Sequence, residues 1–178
     1  MDEYAAGLPL RMVTPRLVKE IRGQFALDWH GEHGASHWAR VYAHGQAVGA
    51  AVGADLRVCE LFAFLHDARR LNENHDPEHG PRAAGYATWL RGKGYFELED
   101  PAFALLREAC AGHSDGHLEA DPTVQACWDS DRLDLGRVGI IPMANRLCTA
   151  AARDPARISA AVAWSEQWVA RRYPAPGT

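Results

Sequence analysis

The 178 residues are 47% hydrophobic and carry a formal net charge of -4. That length suits one domain with a full core, and the apolar content excludes a disordered chain. The charge excludes a general attraction to nucleic acid or to an anionic membrane surface, so a phosphate-bearing substrate must meet a local cluster of cations.

Taken in order, residues 1–13 show no periodic pattern and read as a loose N-terminal arm. Thr14-Pro15 supplies an N-cap and a proline at the first helical position, and Leu17, Val18, Ile21 and Phe25 follow at helical spacing toward an end near Trp29-His30-Gly31. A second helix opens at Ala35 or Ser36, with His37, Val41, His44 and Val48 on one face. Val58, Leu61, Phe62 and Leu65 line the buried face of a third, which delivers His66-Asp67 at its C-terminal end. The polar stretch 68–75 cannot be core. Asp-Pro pairs then announce helices at Asp76, Asp100, Asp121 and Asp154, and the last ends before Pro174. No period-two run indicates a strand, so the expected fold is all-α, a single domain over 1–178.

Cys59, Cys110, Cys127 and Cys148 stand far apart without a C-x-x-C pair and read as buried free thiols in a reducing compartment. No signal-peptide pattern and no window of membrane-spanning length appear, and the expected location is the cytoplasm.

An imidazole and a carboxylate at the inner end of a buried helix need a partner, and together they offer a nitrogen and oxygen set that a divalent ion accepts. His37 shares the apolar stripe of its helix. Asp131, three residues after Trp128 and four after Cys127, faces the core, while Asp129, Arg132 and Asp134 fan toward other faces. His79 and His113 stand at helix ends, where side chains reach into the mouth of a bundle and suit a second ion or a charged substrate. Plainer readings exist for each: a capped helix end for His66-Asp67, a first-turn polar residue for His79, and a C-terminal cation for His113. His44 reads as packed, and His30, His33, His75 and His117 as exposed loop residues. Trp38 is expected to wall the pocket.

The order His37, His66-Asp67 and Asp131 resembles the HD superfamily of metal-dependent phosphohydrolases over about residues 35–150. The resemblance implies a helical bundle of the HD-domain type with His37, His66, Asp67 and Asp131 as ligands of a first ion. It also likens His79 and His113 to the extra histidines of the two-metal branch, with Asp67 bridging. Members of that branch carry a lysine where this chain has Arg70, and their G-Y-P motif is missing here. The expectation is one or two divalent ions (Mn, Mg, Fe, Ni, Co or Zn) that activate water for attack on a small phosphorylated metabolite or nucleotide. Asp67 and Arg70 are the catalytic candidates, and Arg69 and Arg70 the phosphate clamp, unless the two arginines are merely a solvated pair. No nucleic-acid polymer or membrane is expected as partner, and six tryptophans leave a homodimer open. Two alternatives stand beside this reading: a di-iron HD-type oxygenase, and a metal-binding regulatory module without catalysis.

Overall fold

Thr14 Oγ1 accepts from the Leu17 N–H at 3.2 Å, and the first helix, α1 (Pro15–Gln24), buries Leu17 and Ile21. It stops at Gln24, short of the expected end near Trp29. Phe25 turns extended, and the chain folds back so that Phe25, Trp29 and Trp38 meet edge to face with centroids 5.2–6.0 Å apart. The computed structural model describes residues 10–174. Within them follow α2 (Ala35–Val52), α3 (Leu56–Leu65), α4 (His79–Gly92), α5 (Asp100–Gly112), α6 (Pro122–Leu133), α7 (Ala150–Arg153) and α8 (Pro155–Arg172). Short 3-10 turns lie at Asp134–Val138 and Ala144–Arg146, and no strand occurs among the described residues. No described helix is long and apolar enough to cross a membrane.

Helix α2 packs against α3 and α6, α4 lies along α5, and α8 covers the turn that follows α6. The shared core holds Val41, Val48, Leu61, Phe62, Leu65, Leu106, Cys127 and Leu133, all fully buried. Each such aliphatic or aromatic side chain contributes roughly 1.5–3 kcal/mol relative to exposure. All four cysteines are buried free thiols.

The Asp-Pro signals divide by what else each carboxylate can reach. Asp121 and Asp154 cap their helices, accepting from Thr123 N at 2.8 Å and Ala156 N at 3.0 Å. Asp100 is itself the first helical residue and pairs with Arg91 at 2.6 Å. At Asp76 the helix starts three residues late, at His79, because the carboxylate accepts from the Leu71 N–H at 2.8 Å and from Arg82 at 2.6 Å. That carboxylate ties the 68–78 loop to α4 instead of capping a helix.

The loose arm is corrected for its described part. Glu60, buried on α3, accepts the backbone N–H groups of Arg11, Met12 and Val13 at 2.8–2.9 Å, and Val13 enters the core. Residues 1–9 of that expectation lie outside the described residues.

Two outcomes follow for stability. Glu60→Ala leaves three N–H groups without their acceptor, so it should lower unfolding free energy by about 2–3 kcal/mol in urea titration and open the Arg11 bond to trypsin. His44, buried beside Trp164, has its pKa pushed by burial from 6.5 down to about 4, with Asp134 acting against that shift. Because the folded value lies below the unfolded one, His44 favours the fold above about pH 6.5, and that contribution fades as pH falls toward 4. His44→Phe should therefore remove about 2–3 kcal/mol of the stability lost between pH 7 and pH 4.5, measured by chemical denaturation in chelator.

Candidate metal centre

Four histidines converge where the ends of several helices meet. His37 lies in the first turn of α2, His66 caps the C-terminus of α3, His79 begins α4, and His113 caps α5. Gly80 permits the last two to approach. A Cβ there would come within 2.6 Å of the Ala111 carbonyl oxygen and 2.8 Å of that of Cys110, so the start of α4 lies directly on the end of α5.

Each imidazole is turned by an acceptor at Nδ1. His66 donates to the Phe62 carbonyl at 3.2 Å, His113 to that of Cys110 at 2.8 Å, and His79 to that of Asp76. His37 donates to the Asp134 carboxylate at 2.7 Å. Carbonyl and carboxylate oxygens only accept, so the proton of each neutral ring sits on Nδ1 and the lone pair on Nε2. The four Nε2 atoms then face inward, 3.0 Å apart for His37 and His66 and 2.7 Å apart for His79 and His113.

Asp67 stands between the two pairs. Its Oδ2 lies 3.7 Å from His37 Nε2 and 3.6 Å from His66 Nε2, while Oδ1 lies 3.4 Å from His79 Nε2 and 3.7 Å from His113 Nε2. Asp131 Oδ1 adds a second carboxylate to the first pair, 3.3 Å from His37 Nε2 and 3.7 Å from His66 Nε2. The structure thus brings together His37, His66, Asp67, His79, His113 and Asp131. Asp67 Oδ1 is buried without a hydrogen-bond partner, and lone pairs face lone pairs across about 3 Å. Such a set repels itself unless an electron-pair acceptor joins it, and nitrogens each about 2.1 Å from one ion would stand at about that spacing. The residues present fit a divalent ion.

The electrostatics agree. Burial pushes His66 down to about 3, and burial followed by His113 lowers His79. Burial alone would raise Asp67, but His66, His113 and His37 together hold it well below the usual carboxylate range. At Asp131, His37, His66 and Arg137 likewise outweigh burial. His113 is raised, because Asp67 and Asp131 overcome the effect of burial. A buried carboxylate, Asp67, and a partly buried one, Asp131, in one cluster draw positive charge to themselves.

Behind this cluster lies a layer that the sequence reading left without a role. Asp134 accepts from His37, from Arg40 Nε at 2.6 Å and Nη2 at 2.9 Å, and from Ser165 Oγ at 2.9 Å. Arg40 is fully buried, its guanidinium 4.8 Å from the Trp168 ring centroid. Asp129 fastens the start of α7 to α6 by accepting from Cys148 N, Thr149 N and Thr149 Oγ1 at 2.6–2.8 Å. The available signal was spacing at Arg40, three residues after His37 on α2; Asp134, expected on another face, is buried in the 3-10 turn that follows α6.

A cavity of about 380 Å³ opens from the cluster. Arg70 lines it, with Nε and Nη2 donating to the Asn72 and Asn74 carbonyls at 3.1 and 2.6 Å and Nη1 lying 3.2 Å from His79 Nε2. Arg69 is not brought to the cluster. It donates to Gln24 and lies over the Tyr86 ring, beside a separate cavity. His33, expected in solvent, is buried in the cavity wall with Nδ1 against Glu73. His30, His75 and His117 are exposed as expected. Trp38 packs behind His37 on Phe25, Trp29 and Phe64 and is absent from the cavity lining. Arg132 donates to the Arg146 and His117 carbonyls, while Arg137, missed in the sequence, reaches within 3.9 Å of Asp131 and Asp134.

Asp134→Asn tests the rear layer. It leaves Arg40 buried without a counter-charge and leaves one acceptor oxygen where His37, Arg40 and Ser165 now share two, so the anchor of the His37 tautomer is weakened. Stability should fall by about 3–5 kcal/mol in denaturant titration. Affinity for Mn2+ in calorimetry should fall roughly 10–100-fold.

No family model matches the chain, and no curated protein does. Among solved structures, the chain is similar to the crystal structure of a predicted HD superfamily hydrolase from an uncultured Thermotogales bacterium. The two share 23% identity over 88% of this chain and 89% of the other, with a TM-score of 0.62. At that identity the likeness speaks for the fold: the chain has the all-α fold of that structure, and its gathered histidines and aspartates agree with the resemblance read from their spacing.

Proposed function

We propose that this protein is a metal-dependent phosphohydrolase acting on a small phosphorylated metabolite or nucleotide. One observation carries the reading: four imidazole lone pairs and two carboxylates converge in one cluster, whose Asp67, His79, His113 and Asp131 line a cavity together with Arg70 and Arg137. When bound, a divalent ion supplies Lewis-acid activation of water and of a phosphoryl oxygen.

The chain's own residues do the rest. Asp67, ionised between the two imidazole pairs, offers each pair one oxygen and orients the attacking water. Arg70, held by the Asn72 and Asn74 carbonyls through Nε and Nη2, keeps Nη1 facing the cluster, where it can donate to a phosphate oxygen. Arg137, a few ångströms from Asp131, adds a second cation to the same wall. Farther out the lining turns apolar through Leu135, Val138, Ile140, Ile141, Pro142 and Met143, which suits the aliphatic or flat part of a small substrate. A cavity of about 380 Å³ suits a small molecule.

The second imidazole pair sharing Asp67 also supports a di-iron oxygenase, so one experiment should separate the two. Elemental analysis is paired with a phosphomonoester and phosphodiester screen in Mn2+, comparing wild type with Asp67→Ala and Arg70→Gln. Release of phosphate that chelator stops is the expected result. Asp67→Ala should abolish it, and Arg70→Gln should lower kcat/KM by roughly 10²–10³-fold. Two irons per chain, a visible absorption band and no hydrolysis of any ester would sink the phosphohydrolase in favour of the oxygenase.

A further inference from the structure

The two corners of the cluster are not equivalent. The first has two imidazoles and two carboxylate oxygens, from His37, His66, Asp67 Oδ2 and Asp131, and among the described residues the cation on its open side is Arg137, 3.9 Å from Asp131. The second has His79, His113 and Asp67 Oδ1 only, and it has a rival. Arg70 Nη1 lies 3.2 Å from His79 Nε2 and 3.6 Å from Asp67 Oδ1.

His79 already donates Nδ1–H to the Asp76 carbonyl, so its Nε2 has one lone pair. A guanidinium N–H and a metal ion cannot both hold it. The placement of Arg70 is also constrained. Nε and Nη2 are fixed by the Asn72 and Asn74 carbonyls, which leaves Nη1 directed at the corner, and the side chain is only 12% exposed. The loop that supplies those carbonyls is itself tied to α4 through Asp76, Leu71 and Arg82. Withdrawing Arg70 would break two charge-assisted bonds and leave Asp67 Oδ1 without its nearest permanent cation.

We infer that Arg70 stands in for a second ion: the chain binds one divalent ion tightly at His37, His66, Asp67 and Asp131, and Arg70 guards the His79, His113 and Asp67 Oδ1 corner against another. This rests on the metal centre proposed above and is independent of the phosphate-ester chemistry. A single ion together with Arg70 gives the site a divalent and a monovalent charge facing the cavity, where a two-ion centre would carry two divalent charges.

Mn2+ is the probe, with stoichiometry and affinity read by calorimetry and ion–ion coupling by electron paramagnetic resonance. Wild type should take one tight ion and show an uncoupled spectrum. Arg70→Ala should gain a second ion, at least about tenfold tighter than any second site of the wild type, with an exchange-coupled spectrum. Arg70→Gln, which keeps the bulk of the side chain, should behave alike if the alanine variant folds poorly. Adding His79→Ala to either should return the count to one. Two ions of equal affinity in wild type, or one ion in the folded Arg70 variants, would overturn the inference. No ion bound by wild type would overturn the metal centre itself, whatever the result of the ester screen.

Discussion

The inward lone pairs depend on the outward protons. Each of the four imidazoles gives its Nδ1–H to an oxygen that can only accept, three of them backbone carbonyls and one a carboxylate. Such a bond orients a ring as well as choosing its tautomer. The carbonyl used by His113 belongs to Cys110, in the last turn of α5, where the regular ladder leaves C=O groups without partners, and His79 uses that of Asp76, just before α4 begins. A defect of every helix is thereby made into a fixture of the site. Shifting a helix by one residue would change which oxygen each ring meets and would turn Nε2 away from its neighbours.

This requirement explains the company the cluster keeps. A carboxylate behind His37 must stay ionised in the core, and Asp134 is held below the ordinary carboxylate range because His37, Arg40 and Arg137 outweigh the cost of its burial. Arg40 in turn needs Asp134 and the face of Trp168, which α8 supplies. The last long helix thus supports the cluster from behind, through Ser165 and Trp168, and none of its residues lines the cavity. A buried ion pair of this kind is weak as a source of net stability, yet strongly destabilising to break from one side. Its consequence here is geometric: it holds the ring of His37 in place.

The helical architecture and the six gathered residues were legible because both write themselves into local spacing. Apolar residues recurred at helical intervals, and ionisable residues on those apolar faces declared that something had to neutralise them. What escaped was set by contacts across long stretches of chain. Arg40 and Asp134 each had an innocent local reading, and only their meeting across 94 residues shows them to be partners. His33 looked like a loop residue because its burial comes from Glu73, 40 residues away, and from the turn after α6. Asp76 followed the rule for a helix opener but had Arg82 within reach, and a stronger partner took its carboxylate. Arg69 and Arg70 were indistinguishable as a pair. One residue's rotation around the chain sends the first to Gln24 and the second to His79.

The contact beneath Gly80 gives the two halves of the cluster different mechanical characters. There α4 rests on α5 backbone against backbone, so the distance between His79 and His113 is governed by the radii of peptide atoms, which no core substitution alters. The distance between His37 and His66 depends instead on side chains packed among α2, α3 and α6, whose volumes can drift with every exchange of leucine for valine. One half is a rigid gauge and the other an adjustable jaw. Over a lineage of such proteins, changes in the preferred ion would then be tuned through the jaw, while the gauge stays fixed.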